Sequence, residues 1–144
     1  MQRSGIERIL QTLIFEAGGL VLAVPAYEAA FGRGADQGLV LMVALSVAVM
    51  IWTPVHNMMF DRAEYRLTGR PASARPLSLR LIHALSHEIT PIAITLPLIM
   101  ILGQHSLSEA LAVNFGLTLL YVAYAYAFYL AYDRLLPLPA AAKA

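Results

Sequence analysis

The chain has no cysteine, which excludes disulfides, thiolate metal sites and cysteine nucleophiles but is silent on redox compartment. Charge is scarce as well. Only 13% of residues are Asp, Glu, Lys or Arg, and a net charge of +1 leaves no basic patch able to neutralise a run of phosphates, so nucleic acid is not an expected partner. The usual signatures of catalysis are missing too. His87-Glu88 is not the start of a zinc-protease helix, because Pro91 stands where the second histidine would be, and Ser86 and Ser106 lack the surroundings of a nucleophile. The expectation is a protein that is not an enzyme and carries neither metal nor cofactor.

What fills the chain is apolar: 59% of its residues are hydrophobic and the mean hydropathy is +0.66, a composition that places it in a membrane. Four segments, about 8–30, 38–60, 80–102 and 108–132, are long enough to cross a hydrocarbon core of about 30 Å. The first is not expected to be a signal peptide, since Glu16 interrupts its apolar run. Along it Gly19, Ala23, Ala26 and Ala30 make a small-residue face, and Pro25 predicts a kink. Turns are expected at 31–37 and 103–107. A polar loop is expected over about 61–79, with Arg62, Arg66, Arg70 and Arg75 among the breakers Gly69, Pro71 and Pro76.

The halves repeat. Arg8 and Arg80 are 72 residues apart, as are Glu16 and Glu88, Pro25 and Pro97, Trp52 and Tyr124, and Asp61 and Asp133, in a chain of 144. The fold expected is an all-α membrane protein whose four transmembrane helices form a tandem parallel repeat of two helical hairpins, 1–72 and 73–144. Arg3, Arg8, Arg62, Arg66, Arg70, Arg75, Arg80, Arg134 and Lys143 fall on one side of these spans and Arg33 alone on the other. The positive-inside rule then puts both termini and the central loop in the cytoplasm.

Glu16 is the residue that most needs a reason. It lies eight residues beyond Arg8, roughly 12 Å into the membrane at about 1.5 Å per residue. An acid at such depth faces a protein interior or a wet cavity. Removal from water favours the neutral form of a carboxyl group, so the group is poised to hold either a proton or a cation. Glu88 sits at the matching level of the second half, with His83 and His87 for polar company, and the bland alternative for both acids is a protonated side chain bonding across helices. His83 and His87, four apart, share a helix face and read as a proton relay or as packing near the boundary more readily than as metal ligands. Tyr121, Tyr124, Phe128 and Tyr132 follow helical spacing with Tyr126 and Tyr129 on other faces; such a wall suits an organic cation, although Tyr129 and Tyr132 also read as interfacial anchors. Trp52 suits an interfacial belt or the bundle interior equally. Asp61 and Asp133 are expected to pair with nearby arginines, and the loop arginines to contact lipid headgroups.

These residues resemble a known family. Arg8 to Phe15-Glu16, Trp52 to Asn57 and Phe60-Asp61, Arg80 to His83 and Glu88, and Leu117-Thr118-Leu119 with Tyr132-Asp133 look like the four ordered motifs of the proteobacterial antimicrobial compound efflux (PACE) transporters, built from two bacterial transmembrane pair domains. The resemblance implies a proton-coupled inner-membrane pump for biocides such as chlorhexidine, for acriflavine-like dyes or for short diamines, with Glu16 as the residue of proton coupling and substrate binding. It also implies pathway roles for Trp52, Asn57, Asp61, Arg80, His83, Glu88, Thr118, Tyr132 and Asp133. The chain departs from the pattern at Gln11, Thr53, His87, Asn114 and Tyr129-Leu130. The expectation is an antiporter of cationic compounds, working in the lipid bilayer as a homodimer with protons as the coupling ion. The competing expectation is an accessory membrane subunit that moves nothing.

Overall fold

The computed structural model describes residues 5–136; Arg3 and Lys143, part of the charge asymmetry, lie outside the described residues together with the last residues of the tail. The order of elements is α1 Gly5–Phe31, α2 Ala35–Thr68, a short 3-10 turn Ala72–Ala74, α3 Leu77–Ile89, α4 Ile92–Leu102 and α5 Leu107–Leu135. Helices α3 and α4 together make one membrane-length segment, Leu77–Leu102, so among the described residues four segments are long and apolar enough to cross a bilayer. This is the expected four-helix tandem of two hairpins. Many large apolar side chains point outward, among them Val21, Ile51, Ile101 and Phe115, as a lipid-facing surface requires.

Two boundaries differ from the sequence reading. The stretch from Asp61, expected as loop, stays helical to Thr68, because Asp-Arg-Ala-Glu-Tyr-Arg-Leu-Thr holds no breaker. Gly69, with φ of +68°, is the first residue free to turn away, and its N–H closes the helix on the Tyr65 carbonyl at 2.8 Å. The third span, expected as one piece, breaks between Ile89 and Ile92. Pro91 has no N–H to give the His87 carbonyl, and the ladder restarts beyond it with Thr95 donating to the Pro91 carbonyl at 2.8 Å. Helices α1 and α4 run on through Pro25 and Pro97.

The chain divides into two compact units. One holds the chain up to Met42 and from Phe115 onward, the other Val43–Asn114. In the first, α1 packs on α5 and on the opening turns of α2, burying Ala23, Tyr27, Leu41 and Met42. Gly19 and Ala23 lie on the packed face as expected, whereas Ala26 and Ala30 are exposed and Tyr27 takes the next helical step. In the second, α2 pairs with α3 and α4 meets the opening turns of α5, and Leu45, Ile99, Ala110 and Val113 are buried. The buried Thr95 hydroxyl donates to Asn114 Oδ1 at 2.8 Å. Helix α5 starts on a reciprocal cap: Ser106 N–H and hydroxyl both reach Glu109 Oε2, at 2.8 and 2.9 Å, while Glu109 N–H points back at the Ser106 hydroxyl at 3.4 Å.

Candidate functional site

Among the described residues an uncharged or singly acidic cluster of chemically capable side chains stands out in each unit. In the first, Glu16 shares a face of α1 with Gly19 and Ala23, three and seven residues on, and that face is buried. Glu16 is half-buried, and its Oε2 is shut away from solvent without a hydrogen-bond donor among the described residues. An ionised carboxylate oxygen so placed is costly until a proton or a cation meets it.

Beside it stands an aromatic cluster centred on Phe15. Tyr124 and Tyr129 stack on that ring at 4.9 and 5.8 Å between centroids, while Tyr121 and Phe128 meet it edge-on at 6.2 and 5.2 Å. Two glycines make this approach possible. A Cβ at Gly18 would collide with Tyr124 Oη, and one at Gly19 would come within 2.9 Å of the Tyr121 ring. Tyr124 is then fixed by its hydroxyl, which donates to the Phe15 carbonyl at 3.0 Å. Tyr129, expected on another face, belongs to the cluster, while Tyr126 is largely exposed and Tyr132 packs on Phe128 at 5.6 Å. Phe15 enters the sequence reading only as the neighbour of Glu16 in the first family motif; its place at the centre of this cluster depends on α1 meeting α5.

The second cluster is polar. His56 of α2 lies 5.1 Å from the His83 ring and 5.3 Å from the His87 ring of α3. Each imidazole Nε2 has its own neutral partner: His56 meets the Ser86 hydroxyl at 3.0 Å, His83 the Asn57 Oδ1 at 3.0 Å, and His87 the Thr53 hydroxyl at 3.2 Å. Trp52, for which belt and interior were both open, turns to α3 and donates from Nε1 to the Thr90 hydroxyl at 3.0 Å. His56, Ser86, Thr53 and Thr90 were missed in the sequence, since nothing local says that α2 and α3 pair. Among the described residues no three His, Asp or Glu converge in metal-holding geometry. Glu88, on the same helix, is exposed, with its Oε1 3.8 Å from His87 Nδ1.

The remaining charged candidates lie around the turn after α2, except Asp133 on α5. Arg75 is mostly buried and binds both Asp61 and Glu64, with 2.5 Å to Glu64 Oε2, and its guanidinium lies 5.0 Å from the Phe60 centroid. The hydrogen bond to Glu64, ahead of that to Asp61, holds the Arg75 pKa above its ordinary value against the opposing effect of burial. Arg80 donates from Nε to the Arg75 carbonyl at 3.0 Å and so braces this turn. Asp133 is exposed near the end of α5. The structure therefore brings Glu16, Tyr121 and Tyr124 together, separately gathers Trp52, Asn57, His83 and His87, and ties Asp61 to Arg75.

Comparison with known proteins bears on this arrangement. A family model described as "BTP: Chlorhexidine efflux transporter" matches the chain twice, over residues 3–66 and 75–138. The two matches begin 72 residues apart and end 72 residues apart, the same offset that relates Glu16 to Glu88. The chain belongs to the chlorhexidine efflux transporter family. It is thus a multi-pass membrane transporter of the PACE family. Among relatives, a short-chain diamines transporter of Vibrio parahaemolyticus is 28% identical over 131 residues, covering 91% of each chain. Proteins of the same name from Acinetobacter baumannii and Acinetobacter baylyi are each 24% identical over 128 residues, covering 89% of this chain and 86% and 88% of theirs. No solved structure matches the chain.

Proposed function

We propose that this transporter exports small organic cations, short diamines or cationic biocides of the chlorhexidine and acriflavine kind, across the bacterial inner membrane in exchange for protons, with Glu16 as the exchanging group. The observation that carries the reading is the Glu16 carboxylate oxygen, enclosed on the packed face of α1 without a protein donor. Such a group does not stay charged and alone, so a proton and a cationic guest are alternatives at one place. Binding of either expels the other, which is the minimum a proton-coupled exchanger needs. The names borne by the Vibrio and Acinetobacter relatives favour short diamines as the first cargo to try.

In this mechanism deprotonated Glu16 takes an ammonium from the cytoplasmic side, the helices change access, and an incoming proton displaces the cargo outside. The rings of Phe15, Tyr121 and Tyr124 give the guest's carbon chain an apolar wall, with cation–π attraction available only from ring faces not already stacked. The arginine asymmetry supports cytoplasmic termini. Four helices make a thin wall round a pathway, which favours a homodimer. The test is transport of putrescine and of chlorhexidine in proteoliposomes under an imposed pH gradient. Glu16→Gln should insert normally yet release no protons when either cation is added; export at the native rate by that variant overturns the role of Glu16.

A further inference from the structure

The histidine cluster fixes more than packing. The Thr53 hydroxyl gives its proton to the Val49 carbonyl at 2.9 Å, so toward His87 Nε2 it can only accept, and His87 carries its hydrogen on Nε2. Ser86 likewise donates to the His83 carbonyl at 2.9 Å and accepts from His56 Nε2, while His83 Nε2 donates to the carbonyl oxygen of Asn57. All three neutral rings are therefore held as the Nε2–H tautomer, each with a lone pair on Nδ1. For His87 that lone pair lies 3.8 Å from Glu88 Oε1, another acceptor. Two acceptors turned on one another repel unless a positively charged donor joins them.

Space for such a donor exists. A groove of about 400 Å³ is lined by Glu88, His87, His83 and Asn57 on its polar side and by Leu81 and Leu85 on its apolar side. We propose that this groove is a second cation site, distinct from Glu16, that takes a primary ammonium group. The ammonium donates to Glu88 and to His87 Nδ1, and the attached carbon chain lies along Leu81 and Leu85. The inference rests on the reading of the cargo as cationic. A proton on His87 Nδ1 fills the same place, since the imidazolium then faces Glu88 directly, so ammonium and proton exclude one another here too. The other titratable groups near His87 are His83 on its own helix and His56 on α2; beyond them Asp61 and Glu64 share the single guanidinium of Arg75 in an ion-paired group of their own, which keeps one negative charge in excess. A primary ammonium has two sources at a lipid-facing groove, a dissolved amine or the headgroup of phosphatidylethanolamine.

The full chain, labelled with ¹⁵N-histidine and placed in phosphatidylglycerol and phosphatidylcholine nanodiscs, tests this by NMR, with His87→Phe assigning the His87 signals. At about pH 8, where an ordinary imidazole is neutral, His87 should show the Nε2–H tautomer, and putrescine should move its Nδ1 resonance. Glu88→Gln should weaken that response about tenfold or more. In nanodiscs with phosphatidylethanolamine, a shift present before amine is added assigns the occupant to the lipid, and a shift only on adding putrescine assigns it to the dissolved amine; either result supports an ammonium site. An Nδ1 signal unmoved by both overturns it. The same titration in Glu16→Gln separates the two readings. A His87 response that vanishes there overturns the second site and leaves the Glu16 mechanism standing. A response retained there, beside native-rate export by that variant, sinks the Glu16 mechanism and leaves the second site.

Discussion

The two units are built from equivalent helix pairs. In one, the first helix of the first hairpin packs on the last helix of the second; in the other, α3, which opens the second hairpin, packs on α2, which closes the first. Equivalent positions, 72 apart, meet in equivalent ways and with different chemistry. Tyr124 lies over Gly18 in one unit, and its counterpart Trp52 bonds to Thr90, the counterpart of Gly18, in the other. Phe15 meets Phe128 edge-on and stacks on Tyr129, where the counterparts His87, His56 and Asn57 each hold a polar partner of their own, Thr53, Ser86 and His83. The difference shows what one changed dipeptide does. Gly18-Gly19 lets aromatic rings lie against an unbroken helix and keeps Glu16 on the packed face, whereas Thr90-Pro91 breaks the helix just past Glu88, which is exposed. The repeat preserved the pairing and let the chemistry diverge.

The sharpest way to break that comparison is to remove each acid in turn. Glu16→Gln should reduce cation-coupled proton movement in proteoliposomes to the level of empty vesicles. Glu88→Gln, its side chain exposed and so able to find other company, should leave measurable transport with an altered pH profile. Equal loss from both would mean that the units act as equals.

A smaller effect is expected from filling the glycine contact. Gly19→Ala sets a methyl against the Tyr121 ring, and crowding of this kind costs about 1–3 kcal/mol. It should appear as a lower thermal midpoint in detergent, and Tyr121→Ala should relieve the clash, making the pair non-additive in a double-mutant cycle. Additive losses would show that the two residues do not touch.

Much of this was legible in the sequence because it is local or periodic. Span length, the offset of 72 and the charge of Glu16 inside an apolar run can all be read without knowing which helices touch. The loop boundary was misread because arginines alone do not end a helix; only Gly69 does. The break at Pro91 was visible as a proline inside a span, yet Pro25, Pro54 and Pro97 sit in spans that continue through them, so proline by itself does not decide. Phe15 and His56 were hidden for a different reason. Their importance depends on α1 meeting α5 and α2 meeting α3, and helix pairing is set by side chains far apart in the chain.

Two hydrogen bonds at equivalent places give a finer test, with Tyr124→Phe the larger. Its hydroxyl is fixed on the Phe15 carbonyl, and removing it should cost about 1 kcal/mol while leaving the ring stack intact.

The smallest expected effect belongs to Trp52→Phe. It removes the Nε1 donor to Thr90, but the Thr90 hydroxyl already donates to the Ser86 carbonyl at 2.7 Å and so keeps a partner. The cost should be no more than about 1 kcal/mol, below that of Tyr124→Phe. Because Ser86 in turn orients His56, the place to look is the ¹⁵N spectrum: the His56 tautomer should persist in Trp52→Phe and be lost in Ser86→Ala, whose missing hydroxyl frees Nε2. A His56 signal that responds to Trp52→Phe as strongly as to Ser86→Ala would mean that the indole, and not the serine, holds the ring in place.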